Sequence, residues 1–100
     1  MKFYIAGKIT GDSNYKDKFY KAEEKLKSLG HSVMNPACLS DYKDFTWEDY
    51  MAVTSSMQKC CDAVFFLPDW IASKGAKQEH EMALSLNQKC FYDISAVPKS

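Results

Sequence analysis

The segment Ala63-Val64-Phe65-Phe66-Leu67 constrains this chain more than any other. Five apolar residues follow one another without alternation, and Pro68 stops them. A strand of this kind is buried on both faces, which happens when helices cover both sides of a parallel sheet. Its surroundings agree, because strand-like and helical segments alternate along the chain. Lys2 to Ala6 is a short apolar strand ended by Gly7. A helix over roughly Asn14 to Leu29 follows, capped by Asp12 or Ser13, with Tyr15, Phe19, Ala22, Leu26 and Leu29 on one face and Gly30 just past its end. His31 to Met34 is a second strand closed by Asn35-Pro36, and residues 37–45 read as irregular and polar. Thr46, with Asp49 three residues on, caps a second helix whose inner stripe is Trp47, Tyr50, Met51, Thr54, Met57 and Cys61. Gly75 to Asn87 is a third helix, Lys89 to Ile94 a last strand, and the tail 95–100 reads as loose.

The order β-α-β-α-β-α-β implies parallel pairing through right-handed crossovers. The expected product is one small three-layer α/β domain over residues 1–100, flavodoxin- or Rossmann-like, with a four- or five-stranded parallel sheet and helices on both faces. So short a chain in three layers leaves an incomplete core. A homo-oligomer, dimer or higher, formed through an apolar helix face is therefore expected.

Charge narrows the function. All thirteen basic side chains are lysines, balanced by thirteen acidic ones, so net charge is zero. Binding to a nucleic-acid polymer is not expected of such a chain, which lacks both a basic excess and arginine forks. No apolar run approaches a membrane span, and the start has neither the apolar length nor the cleavage pattern of a signal peptide, so a cytoplasmic protein with no membrane partner is expected. Cys38, Cys60, Cys61 and Cys90 form no C-x-x-C, and His31 and His80 complete no zinc spacing. They read as four reduced thiols, and no metal or cofactor is expected.

In sheets of this type ligands bind beyond the carboxyl ends of the strands. Three loops matter there. The first, Gly7-Lys8-Ile9-Thr10-Gly11, lets backbone approach a ligand closely, although it is no dinucleotide fingerprint and no Walker sequence. The loop after the second strand starts at Asn35, and the one after the third leads into Ser73-Lys74-Gly75. Ser73 suits two roles, an ordinary N-cap or an anion seat at a helix N-terminus. On the third helix Ala76, Glu79, Ala83 and Leu86 share the inner stripe, whereas Glu81 falls outside, four residues after Lys77, where an ion pair is expected. A carboxylate on an inner stripe either ties down a loop or serves a site; the pattern alone leaves both open for Glu79.

Four motifs then carry a resemblance: Tyr4-Ile5-Ala6-Gly7-x-Ile9-Thr10-Gly11; Asn35-Pro36; Cys61-Asp62-Ala63-Val64-Phe65-Phe66-Leu67-Pro68-Asp69-Trp70; and Ser73-Lys74-Gly75-x-x-x-Glu79-x-x-x-Ala83. Together they span nearly the whole chain, which resembles the nucleoside 2-deoxyribosyltransferase-like superfamily, and most closely its short bacterial and phage members. The resemblance implies cleavage of a C1′–N glycosidic bond in a small-molecule nucleoside or nucleotide. Glu79 stands at the nucleophile position, and Tyr4 at that of a tyrosine orienting it. Ser73 stands where relatives acting on 5′-monophosphates carry serine, and those acting on free nucleosides carry aspartate. The backbone of Gly7 to Gly11, with Lys8 nearby, and the turn at Gly75 would complete a phosphate seat. The chain departs from the pattern at Thr54, where active relatives carry an aspartate, and at Thr10, where phosphate-binding relatives often carry arginine. Asp69 is the substitute acid that the site loop offers, and a turn aspartate is its other reading. The alternative function is a nucleotide-binding module that keeps the pocket without turnover.

Overall fold

The computed structural model describes residues 1–39 and 44–100. Four strands, β1 (Lys2–Ala6), β2 (Ser32–Met34), β3 (Ala63–Phe66) and β4 (Lys89–Phe91), form one sheet in the order β2-β1-β3-β4. Every pairing is parallel. The three helices are α1 (Tyr15–Ser28), α2 (Trp47–Lys59) and α3 (Lys74–Ser85).

Alternation along the two central strands sorts the core into two layers. Phe3 and Ile5 of β1, with Ala63 and Phe65 of β3, face α1, where Phe19, Ala22 and Leu26 close over them. Tyr4, Ala6, Val64 and Phe66 face the other way, toward Ala76 and Ala83 of α3 and Met57 of α2. The uninterrupted apolar run of β3 is explained by this double cover. Because β1 leads outward to β2 through α1, and β3 leads outward to β4 through α3 on the opposite face, the connections diverge between β1 and β3. A crevice at their carboxyl ends follows from that topology.

Several boundaries differ from the sequence reading. Asp12 does not cap α1: one of its oxygens accepts from the Asn14 N–H at 2.8 Å and the other pairs with Lys18, so the cap position falls to Asn14. At the other end Gly30, at φ 91°, closes a Schellman turn with Gly30 N–H to Lys27 O and His31 N–H to Leu26 O. Thr46 and Asp49 form the full reciprocal capping box of α2. Of the irregular stretch 37–45, residues 40–43 lie outside the described residues, and Pro36–Cys38 is a 3-10 turn capped by Asn35. On the inner face of α2, Thr54 and Gln58 are buried, and Met57, with Cys61 just past the helix, packs partly buried on the same layer; Gln58 is the residue that the expected stripe lacked. α3 stops at Ser85 because Asn87 takes a left-handed φ of 56°, which leaves Leu86 exposed and off the stripe. Each ion pair among the described residues includes a lysine of α1, one of them reaching Asp69 after β3, and Lys77–Glu81 is not among them.

The tail is the larger correction. β4 ends at Phe91, where its pairing with β3 ends, and the chain turns through a 3-10 segment at Ile94–Ala96 capped by Asp93. Val97 is buried in the α1 layer, His31 bonds the Pro98 carbonyl at 2.6 Å, and the Ser100 N–H reaches Leu29 O at 2.8 Å. Only one helix covers that face of a four-stranded sheet, and the tail covers what α1 leaves open. Val97→Ser should therefore destabilise the fold by about 1–2 kcal/mol, the scale of one buried aliphatic side chain; urea unfolding measures it, and a loose tail predicts no change.

Candidate active site

The crevice is an open cleft of about 1540 Å³. Its lining comes from the loop after β1, the start of α1, Pro36 and Leu39 after β2, the N-terminal half of α2 and the first turns of α3. Gly7, at the end of β1, is packed so closely that a Cβ there would sit 2.7 Å from Leu67 Cδ1. Gly11 turns the loop with a φ of 80°. Gly75 lets α2 close in, since a Cβ there would lie 3.2 Å from Met51 Sδ. Across the mouth, the Lys74 ammonium sits 4.6 Å from the centre of the Trp47 ring, so the starts of α2 and α3 meet through a cation–π contact.

Glu79 lines this cleft, yet its residue is only 7% exposed. Tyr4, fully buried on the adjoining face of β1, donates its hydroxyl to Glu79 Oε2. Burial pushes the Glu79 carboxyl up to about 7, outweighing the downward pull of the tyrosine hydrogen bond. Burial first, and then the neighbouring Glu79 charge, raise the Tyr4 phenol well above its ordinary value, so it remains a donor at any physiological pH. Thr54 stands against that phenol and lines the cleft beside it, with its own hydroxyl donating to the Met51 carbonyl at 3.3 Å.

Ser73 is the N-cap of α3, accepting from the Ala76 N–H at 3.1 Å, and no acidic residue occupies the first turn of that helix. The positive end of α3 therefore faces the cleft uncompensated by its own sequence. Lys8, Ile9, Thr10 and Gly11 also line the cleft.

Two candidates lie elsewhere. Asp69 takes the Lys8 N–H at 3.0 Å on one oxygen and pairs with Lys18 through the other, so the structure does not bring it to Glu79. Lys18 also pairs with Asp12, which ties the loop after β1 to the loop after β3. Asn35 caps the 3-10 turn at Ala37 and donates to Glu23 Oε1 at 2.9 Å, outside the cleft lining. Trp70 packs with Phe66, His80 and Tyr92 and is not a cleft wall.

Sequence reasoning missed Gln58, although its position four residues after Thr54 on one helix face was the available signal. It also missed Lys18, since nothing in a spacing of six residues indicates that a lysine will bridge two loops. Cys61, with its thiol pushed by burial up to about 11, has no reactive character, and the cysteines are free thiols. Among the described residues no group of three or more His, Cys, Asp or Glu side chains is placed to hold a metal ion, and no helix is long and apolar enough to cross a membrane.

The profile of a protein family described as a domain of unknown function, DUF4406, matches residues 1–92. The chain belongs to the DUF4406 family. No curated protein sequence matches this DUF4406 chain. Among solved structures it is similar to the 2-deoxyribosyltransferase of the psychrotolerant bacterium Bacillus psychrosaccharolyticus, with a TM-score of 0.70 and 22% identity over 90% of this chain and 69% of that one. The fold of this DUF4406 member is thus the deoxyribosyltransferase fold, in keeping with the resemblance seen in its motifs.

Burial of Glu79 has a thermodynamic signature. Its pKa is raised in the folded state, so the stabilisation is complete below the unfolded value near 4.5 and is lost as pH rises through about 7. Glu79→Gln removes that loss. The variant should match the parent near pH 4 and exceed it at pH 8–9 by an amount on the order of 2–3 kcal/mol. Denaturant titrations across pH provide the measurement; equal pH dependence in both proteins contradicts it.

Proposed function

We propose that this protein cleaves the C1′–N glycosidic bond of a nucleoside 5′-monophosphate, by hydrolysis or deoxyribosyl transfer. The observation that carries the reading is Glu79, a carboxyl withdrawn from water at the floor of a large cleft, with a buried tyrosine hydroxyl aligned on it. The Glu79 carboxylate attacks the anomeric carbon as the bond to the base breaks, and the electron pair leaves with the base, which acquires a proton from solvent or a bound donor. Water or a second base then takes the sugar from the glycosyl-enzyme, giving net retention. Tyr4 is a positioning residue for Glu79. The phosphate sits against Ser73, the start of α3 and the backbone of Gly7 to Gly11, with Lys8 and Lys74 as point charges. The solved structure of similar fold is described as a 2-deoxyribosyltransferase used in nucleoside synthesis, which supports the reaction class. Self-association belongs to the same reading, and sedimentation at micromolar concentration tests it.

Thr54 favours a second reading, a nucleotide-binding module without turnover. A threonine stands beside Tyr4 where active relatives of the resembled superfamily carry an aspartate, and Asp69 is held by Lys18 and the Lys8 N–H.

Incubation with a panel of ribo- and deoxynucleoside monophosphates, followed by chromatography for free base, separates the two. The expected result is release that Glu79→Gln abolishes. Binding without release selects the module, and equal release by Glu79→Gln refutes the nucleophile. Because the attacking form is the carboxylate, kcat/KM, which reads the empty cleft, should fall about ten-fold per pH unit on the acid side of a midpoint near 7.

The phosphate seat has its own test. Ser73→Asp keeps a good cap but puts a negative charge at the seat. It should weaken monophosphate binding by about ten-fold or more while leaving nucleoside binding nearly unchanged; equal effects on both ligands rule the seat out.

A further inference from the structure

Glu79 is held at two points. Tyr4 holds the carboxylate, and Gln58 of α2 holds the backbone, its Nε2 donating to the Glu79 carbonyl at 2.8 Å. Gln58 is fully buried, and the same Nε2 donates to Gln88 Oε1 at 3.1 Å. Gln88 stands in the turn between α3 and β4, and its Nε2 returns to α2, donating to Gln58 O at 2.8 Å and Cys61 O at 2.9 Å. Gln58 O also accepts from the Cys61 N–H at 3.0 Å, and Cys61 lies just past the helix, so the two bonds from Gln88 tie the end of α2 to the turn that follows α3. The circuit runs from α2 to the residue bearing the carboxylate, on to the end of its helix, and back.

Space-filling does not account for these side chains. Gln58 Oε1 is buried and takes no donor from the protein. A buried, unpaired acceptor carries a desolvation cost that a methionine of similar length does not. Turning the amide over would set that oxygen against the Glu79 and Gln88 acceptors, so its orientation is fixed by what Nε2 donates to. The rest of the layer between α2, α3 and the sheet is mostly apolar: Ala6, Val64, Phe66, Ala76, Ala83 and Met57. Two glutamine amides in such a layer are held by their hydrogen bonds, and one of those bonds ends on Glu79.

We infer that Gln58 and Gln88 form a clamp that sets the height and rotation of α3 against α2, and thereby keeps the Glu79 carboxylate in register with the Tyr4 hydroxyl and the reacting carbon. Both are positioning residues. Their kinetic role rests on the reading of Glu79 as the nucleophile; their structural role does not.

The test uses the full chain with Gln58→Met and Gln88→Met, and with Val97→Ser as a comparison that loosens the opposite face of the sheet. The first readout is the titration of the Glu79 carboxyl, followed by carbon NMR of protein labelled at its glutamate carboxyls. Both glutamine variants should shift the midpoint upward from the parent's, since the Tyr4 hydrogen bond that lowers it is weakened, while Val97→Ser leaves it in place. The second readout is steady-state kinetics on any monophosphate the parent cleaves. There kcat should fall by about 10- to 100-fold, as for a misplacement on the ångström scale, with KM nearly constant. If Gln58→Met does not fold, Gln88→Met, at a half-buried position, decides alone. A folded glutamine variant with the parent's titration midpoint overturns the clamp, whatever the reaction is. A parent that releases no base from any nucleotide overturns the proposed reaction and leaves the titration to judge the clamp.

Discussion

The hydrogen bond from Tyr4 to Glu79 is the contact on which the arrangement turns. It joins the central strand to the third helix through two polar groups that neither element could bury alone. An unpaired carboxyl in that layer would be strongly disfavoured, and an unpaired phenol only somewhat less so. Paired, they allow a carboxyl to sit at the floor of a cleft, shielded from bulk water and still on its lining. The strand order makes the pairing possible. With β1 and β3 adjacent and their connections diverging, the residues at alternate positions of β1 point under the start of α3. Tyr4 lies on that side, while Phe3 and Ile5 lie on the α1 side.

Most of this architecture was legible in the sequence because it depends on periodicity. The apolar run of β3 required cover on both faces, and helical phase alone set Glu79 inside and Glu81 outside. The Thr46 capping box and Gly30 were readable because caps and left-handed turns act on a few neighbouring residues. What escaped was long-range. Lys18 bridging Asp12 and Asp69 depends on two loops meeting in space, and no local pattern encodes that. Gln58 was passed over because a glutamine on an inner stripe looks like an error until its partners, a carbonyl of α3 and a side chain of the next turn, are seen. The tail misled for the opposite reason. Its composition is that of a loose end, and it is ordered by an open sheet face that the strand and helix count left uncovered.

The site residues divide along the same line. Those on strands and helices or at a helix start, Tyr4, Ser73, Gly75 and Glu79, converge on the cleft with the glycine loop. Asn35 and Asp69, both in connections, are engaged in holding those connections. Asp69 serves the site only by bracing the loop after β1, through one backbone amide and one lysine.

The raised pKa of Glu79 also links the cleft's protons to its ions. Near neutral pH a large share of molecules carry the proton, so the floor of the cleft is then uncharged. An anion resting at the start of α3 and a proton resting on Glu79 stabilise each other, because either one removes the repulsion that the other would meet. By reciprocity, whatever factor the anion adds to proton affinity, the proton adds to anion affinity. An anion bound there would therefore hold the Glu79 proton to higher pH than in the empty cleft, and on the proposed reading the cleft would be most receptive to an anion in the protonation state in which its carboxyl is least nucleophilic.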